Sequence, residues 1–188
     1  MPFVTDWSPD GKYLLFSATT PKASSDILYV PLDNSAKPVE LAHSEFMEAE
    51  ARFSPDGKWI SFTSNESGTP EIYVQAFPSG ANKQRVSTSV GMEANWARNK
   101  KELFYETRTA GSELWSVPID LSTGFRQTGP PKELFTVRQF AWAPNNSRFT
   151  RAESPDGQRF LYIAPEAGAS EMTIHIVQNW EKLLEQRK

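Results

Sequence analysis

The sequence predicts an all-β fold, a β-propeller of four blades, and three observations carry that prediction. A turn tetrapeptide recurs, a strand motif follows each copy at a nearly constant distance, and no helical pattern interrupts the copies before the last residues. The tetrapeptide stands at Ser8-Pro9-Asp10-Gly11, Ser54-Pro55-Asp56-Gly57 and Ser154-Pro155-Asp156-Gly157. An eroded copy, Ala97-Arg98-Asn99-Lys100, keeps the aromatic Trp96 before the turn and the apolar run Leu103-Phe104-Tyr105 after it. The starts at 8, 54, 97 and 154 lie 46, 43 and 57 residues apart, near the spacing of about 40 to 45 expected of four-stranded propeller blades.

Each unit is read as four short antiparallel strands. In the second, Glu50 to Phe53 is the innermost strand and Ser54 to Gly57 the turn. There Pro presets φ, Asp bonds its own backbone two residues on, and Gly accepts a positive φ. Trp59 to Ser64 follows as a strand rich in aromatic and β-branched residues. Asn65 to Pro70 is a loop, Glu71 to Phe77 the third strand and Gln84 to Ser87 a polar fourth. Its polarity suits the outermost position, where an edge must resist pairing with other chains. The third-strand motif recurs as Ile27-Leu28-Tyr29, Ile72-Tyr73-Val74, Leu114-Trp115-Ser116 and Ile174-His175-Ile176, beginning 19, 18, 17 and 20 residues after the respective turns. Blades are therefore expected over about 3–43, 44–89, 90–136 and 148–178, the last incomplete, as a single propeller domain or a partial propeller. An insertion at 137–147 accounts for the wide interval, and a short C-terminal helix is expected at 180–187, its basic residues last.

Composition narrows the function. The 188 residues are 38% hydrophobic, enough for a real core, and carry 20 Lys+Arg against 23 Asp+Glu, a net charge of −3. Such a balance gives no basic field to draw nucleic acid or anionic lipid. Cysteine is absent, which excludes disulfides, thiolate metal sites and thiol nucleophiles. The longest apolar runs are about four or five residues, too short to insert in a bilayer. The opening Met1-Pro2-Phe3-Val4-Thr5-Asp6 has no basic region and no apolar stretch, so no export signal is expected in it.

The Ser-Pro-Asp-Gly-Lys turn with an apolar strand behind it, and Ile/Leu-Tyr/Trp some 18 residues later, resembles the TolB-like β-propeller repeat. Such repeats also build the propellers of tricorn-type and prolyl-oligopeptidase-type peptidases. The tail, from Ser154 through Ile174-His175-Ile176-Val177-Gln178-Asn179-Trp180, is similar to the end of propellers that follow serine/threonine kinase domains in some bacteria. The resemblance implies a non-enzymatic binding or scaffold module of a larger bacterial protein, outside the cytoplasm, with a protein partner or self-association. The alternative is an accessory propeller of a peptidase whose catalytic domain lies elsewhere. Propellers of this family usually have six or more blades, so four units imply a partial or an unusually small ring.

Chemistry is sparse. No Gly-x-Ser-x-Gly elbow occurs, and the histidines are His43, read as a solvated loop residue, and His175, read as a packed or edge strand residue. No catalytic residue, metal site or cofactor is expected. Asp10, Asp56 and Asp156 are explained by their turns. Glu50 and Glu93 occupy the same repeat position, three before Phe53 and Trp96. Rotation about a propeller axis would aim both at one channel, either as a site for a cation or peptide amine or as a wet lining without a ligand. Trp7, Phe53 and Trp96, with Phe16, Phe62, Tyr105 and Tyr162, are assigned to packing between blades. Arg138, Phe140 and Trp142 fall in the insertion, and form either a recognition patch or a cover for an open end.

Overall fold

The computed structural model describes residues 2–19, 25–33, 37–107, 112–137, 151–154, 159–165 and 172–178. Among them the chain forms four antiparallel sheets, one per repeat, and no helix. Blade 1 is β1 (Phe3–Trp7), β2 (Tyr13–Ala18), β3 (Asp26–Pro31) and β4 (Val39–Ala42), hydrogen-bonded in that order. Blade 2 repeats the meander as β5 (Glu48–Phe53), β6 (Trp59–Ser64), β7 (Glu71–Ala76) and the short, exposed β8 (Gln84–Arg85).

Blade 3 departs from the expected four strands. It holds β9 (Met92–Trp96), β10 (Glu102–Thr107), β11 (Ser112–Asp120), β12 (Arg126–Gln127) and β13 (Lys132–Val137). The nine residues of β11 are long enough to carry both outer strands: β12 pairs with Ile119 and Asp120, β13 with Ser112 to Ser116. Val137, placed in the insertion by the sequence, is therefore the last residue of a strand. Among the described residues blade 4 holds β14 (Arg151–Glu153), β15 (Arg159–Pro165) and β16 (Met172–Gln178), hydrogen-bonded in that order. The helix expected at 180–187 lies outside the described residues.

The turns explain why the meander repeats. In blade 2 the Gly57 amide donates to the Ser54 carbonyl at 2.8 Å and Gly57 sits at φ +70°. Ser54 Oγ donates to Asp56 Oδ1 (2.6 Å) and accepts the Trp59 amide (3.0 Å). Ser8 and Asp10 reproduce these bonds in blade 1, and Ser154 Oγ accepts the Arg159 amide in blade 4 at 3.0 Å. Pro155, Asp156 and Gly157 lie outside the described residues. The eroded copy keeps the geometry with different residues. Asn99 Oδ1 accepts the Lys101 amide (2.8 Å) and Lys100 takes the glycine's place at φ +61°.

Each boundary between blades holds its own apolar core. Leu15, Ile27 and Tyr29 of blade 1 meet Phe53, Ile60, Phe62 and Phe77 of blade 2. Trp59, Ile72 and Val74 meet Trp96, Leu103, Tyr105, Val117 and Phe125. Phe104, Leu114 and Phe135 enclose Phe160 of blade 4. The repeating aromatics Phe53, Phe62, Trp96 and Tyr105 are thus interblade packing, with burial holding the Tyr105 phenol up at about 12. Trp7 and Phe16 are the corrections: Trp7 is 58% exposed and Phe16 half-buried outside the core shared with blade 2, because both face the side of blade 1 that no described residue covers.

Candidate functional site

The inner strands β1, β5, β9 and β14 bring together the charged residues Asp6, Glu50, Arg52, Glu93 and Arg151. Each of the first three carries a bulge, where the register slips between Val4 and Asp6, between Ala49 and Arg52, and opposite Tyr105. In the second and third the bulged residue is a glutamate in left-handed conformation, Glu50 at φ 61° and Glu93 at φ 53°. A side-chain-bearing residue held there costs roughly 1–3 kcal/mol, so the surroundings must hold it in place.

They do so across the blade boundary. Glu50 Oε2 accepts the Thr63 hydroxyl at 2.9 Å within blade 2 and the backbone N–H of Glu93 at 3.0 Å in blade 3. The two glutamates expected at one channel are brought together, with the Glu50 carboxylate meeting the main chain of Glu93. Arg52 Nη1 reaches back to the Thr5 carbonyl (2.7 Å) and lies 3.9 Å from Asp6 Oδ1, while Asp6 Oδ2 accepts the Phe53 amide at 2.8 Å. Arg151 Nη1 meets Glu106 Oε1 at 2.5 Å, both side chains buried, and its Nη2 donates to the Glu93 carbonyl at 3.0 Å. Sequence reasoning missed Arg52 and Arg151, whose partners lie 45 to 58 residues away.

The electrostatics fit a paired set. Burial pushes the Asp6 carboxyl up, and the amides of Phe53 and Trp7 and the Arg52 charge pull it back. Burial likewise pushes the Arg52 guanidinium down; Asp6, Glu50 and Glu93 oppose that and Arg151 adds to it. Among the described residues no group of three or more His, Asp and Glu is disposed to hold a metal ion.

His43 departs from its reading as a solvated residue. Its Nδ1 lies 2.8 Å from Oδ2 of the fully buried Asp26, its Nε2 3.9 Å from Glu40, and its side chain is 25% exposed. The neighbouring Ser44 hydroxyl donates to Glu48. The Glu48 carboxyl is pushed up by burial, pulled down by Ser44 and pushed up again by Asp26. His175 lies on β16, in register with Tyr162, on the outer strand of the described part of blade 4.

The turns themselves frame a hollow of about 400 Å³ between blades 1 and 2. Blade 1 lines it with Ser8, Pro9, Asp10 and Tyr13, and blade 2 with Asp56, Gly57, Lys58, Phe77 and Pro78. Its floor is aromatic: Phe77 stands edge-on to Tyr13, Tyr29 and Phe53 at 5.0, 5.0 and 4.9 Å. The Ser8 hydroxyl, with the Lys12 amide, holds the Asp10 carboxyl below its usual range, so its rim carries negative charge beside the exposed Lys58. Arg138, Phe140 and Trp142 lie outside the described residues.

Comparison with known proteins agrees with this architecture. The family model described as the TolB beta propeller domain matches residues 1–183. A curated relative, the uncharacterized protein Atu1656 of Agrobacterium fabrum, is 30% identical over 166 residues, covering 84% of this chain and 53% of its own length. The crystal structure of TolB from Acinetobacter baumannii superposes with a TM-score of 0.67 at 24% identity, over 93% of this chain and 40% of that one. A puromycin-hydrolyzing peptidase of Mycobacterium tuberculosis gives 0.62 at 17% identity, over 90% of this chain and 28% of the peptidase. The chain spans about half the length of the curated relative and two fifths of the TolB chain.

Proposed function

Because the chain belongs to the TolB β-propeller domain family, we propose that it is a non-enzymatic binding module, part of a larger bacterial protein working outside the cytoplasm. On this reading it recognises a protein segment at the hollow between the turns of blades 1 and 2. The observation that carries the proposal is how the charged side chains are used. Glu50, Arg52 and Arg151 are committed to backbone groups of a neighbouring blade, whereas the turn hollow leaves Lys58 exposed and Tyr13 partly so beside an aromatic floor. Aromatic surface for contact with charges at its edge is the composition of a recognition patch.

A displayed peptide library selected on the immobilised chain tests this. Enriched peptides should bind the wild type and lose about tenfold in affinity, roughly 1.4 kcal/mol, to Lys58→Glu. No enrichment, or equal binding by the variant, overturns the hollow as the site. The rival reading is an accessory propeller of a peptidase; it draws on the likeness to the mycobacterial enzyme, which at 17% identity concerns the fold alone. Hydrolysis of peptide or glycan libraries by the chain, abolished in Glu50→Gln/Glu93→Gln, would replace the binding module with an enzyme.

A further inference from the structure

The hollow between the turns of blades 1 and 2 differs from the corresponding place at the next blade boundary. Tyr13 and Trp59 hold the same repeat position, each giving its amide to the Ser hydroxyl of its own turn. Blade 3 closes over Trp59. The Phe125 ring lies 5.8 Å from it and 5.9 Å from Trp96, and a Cβ on Gly124 would stand 3.7 Å from its Cζ2. Trp59 is left 8% exposed. At the boundary of blades 1 and 2, Phe77 reaches Tyr13 and Phe53 from the end of β7, and Tyr13 and Phe77 both stay half-buried at the wall of the hollow.

The same boundary is where two aspartate turns adjoin; in blade 3 the position belongs to Asn99. Oδ1 of Asp10 accepts the Ser8 hydroxyl at 2.7 Å and the Lys12 amide at 3.1 Å. Oδ1 of Asp56 accepts the Ser54 hydroxyl at 2.6 Å and the Lys58 amide at 3.1 Å. Each carboxylate is thus fixed through one oxygen, and the second is left over. Oδ2 of Asp10 lies 3.5 Å from the exposed Lys12 ammonium, and Oδ2 of Asp56 has no hydrogen-bond partner among the described residues. Pre-set carboxylates beside aromatic rings favour a planar, weakly hydrated cation. A guanidinium pairs with a carboxylate through two N–H groups while its face lies on a ring, which a compact, strongly hydrated ammonium does less well. Lys58, also in the lining, calls for an acidic group on the same occupant.

Resting on the reading of this hollow as the recognition site, we infer that its occupant is a partner-protein segment carrying an arginine with an acidic residue close by. The guanidinium lies against Tyr13 and Phe77 and pairs with the Asp56 and Asp10 carboxylates, while the acidic side chain meets Lys58. Arginine is the anchor, a residue of the type that dominates interface energetics.

Peptides selected from a displayed library on the chain are the probes. They should be enriched in arginine near an acidic residue. A resynthesised peptide should lose about tenfold or more in affinity when citrulline, which keeps the shape and drops the charge, replaces its arginine. Asp56→Asn should cost a similar factor and retain the wild-type circular dichroism, because Asn99 Oδ1 accepts the Lys101 amide in blade 3 and shows that asparagine keeps this turn. The citrulline comparison needs no variant protein, so it stands whatever Asp56→Asn does to the fold. Peptides that lose affinity to Lys58→Glu, yet carry no arginine or bind equally well with citrulline in its place, overturn the arginine and leave the hollow as a recognition site. No enrichment, or peptides indifferent to Lys58→Glu, overturns the hollow and the arginine with it.

Discussion

Replacing Arg151 by Met tests whether charge pairing docks blade 4. The guanidinium and the Glu106 carboxylate are 4% and 1% exposed and 2.5 Å apart, and a second bond runs to the Glu93 carbonyl at 3.0 Å. Methionine fills most of the space but takes the Arg151 charge away from the buried Glu106 carboxylate, so the loss should be about 3–5 kcal/mol. Stability in a repeat array is a sum of unit and nearest-neighbour terms, so the loss should fall on blade 4. Native-state hydrogen exchange reads this directly: the opening constants of the β14 and β15 amides should rise by roughly two to four powers of ten, and those of β6 should not move. Adding Glu106→Leu removes that carboxylate and should bring the protein back to within about 1.5 kcal/mol of the wild type. A single-variant cost under about 1 kcal/mol, or a double variant equal to the sum of its singles, would refute the reasoning.

Two further predictions concern local chemistry. Lys100→Gly should stabilise the protein by about 1 kcal/mol, because Lys100 holds φ +61° where the other turns use glycine; an unchanged urea midpoint would contradict it. Glu48→Gln should stabilise at pH 7, since burial raises the native carboxyl above its unfolded value. A raised carboxyl contributes stability that is present below the unfolded pKa and is lost as pH rises through the native one. The advantage of Gln over Glu should therefore fade as the pH falls to about 4.3 and below, and a gap constant across a pH series of denaturation curves would count against it.

What was legible in the sequence was what is local. A Ser hydroxyl capping an amide five residues on and a Gly at positive φ are written within one tetrapeptide, and they recur with the blade. The inner-strand site was only partly legible. Repeat position brought Glu50 and Glu93 together, but nothing in a glutamate announces a left-handed backbone, and the bulge that demands it depends on the partner strand. Arg52 and Arg151 find acceptors on other blades, and Asp26 meets His43 across 17 residues, so pattern alone does not join them. The fifth strand of blade 3 escaped because β12 and β13 are told apart only by which end of β11 each one meets. Periodicity grouped Trp7 with Phe53 and Trp96 correctly, yet it describes a residue's place in its own blade and not whether a neighbour stands beside it.

The bonds between inner strands have a direction. The amides of Phe53 in blade 2 and Glu93 in blade 3 are received by carboxylates of the blade before, Asp6 and Glu50. Trp96 and Arg52 likewise donate to carbonyls of the blade before. Each blade is thus a donor to the blade before it in the chain and an acceptor for the blade after it. The same wiring orders the contacts: the left-handed glutamate in the bulge of blade 3 gains its anchor only when Glu50 is in place.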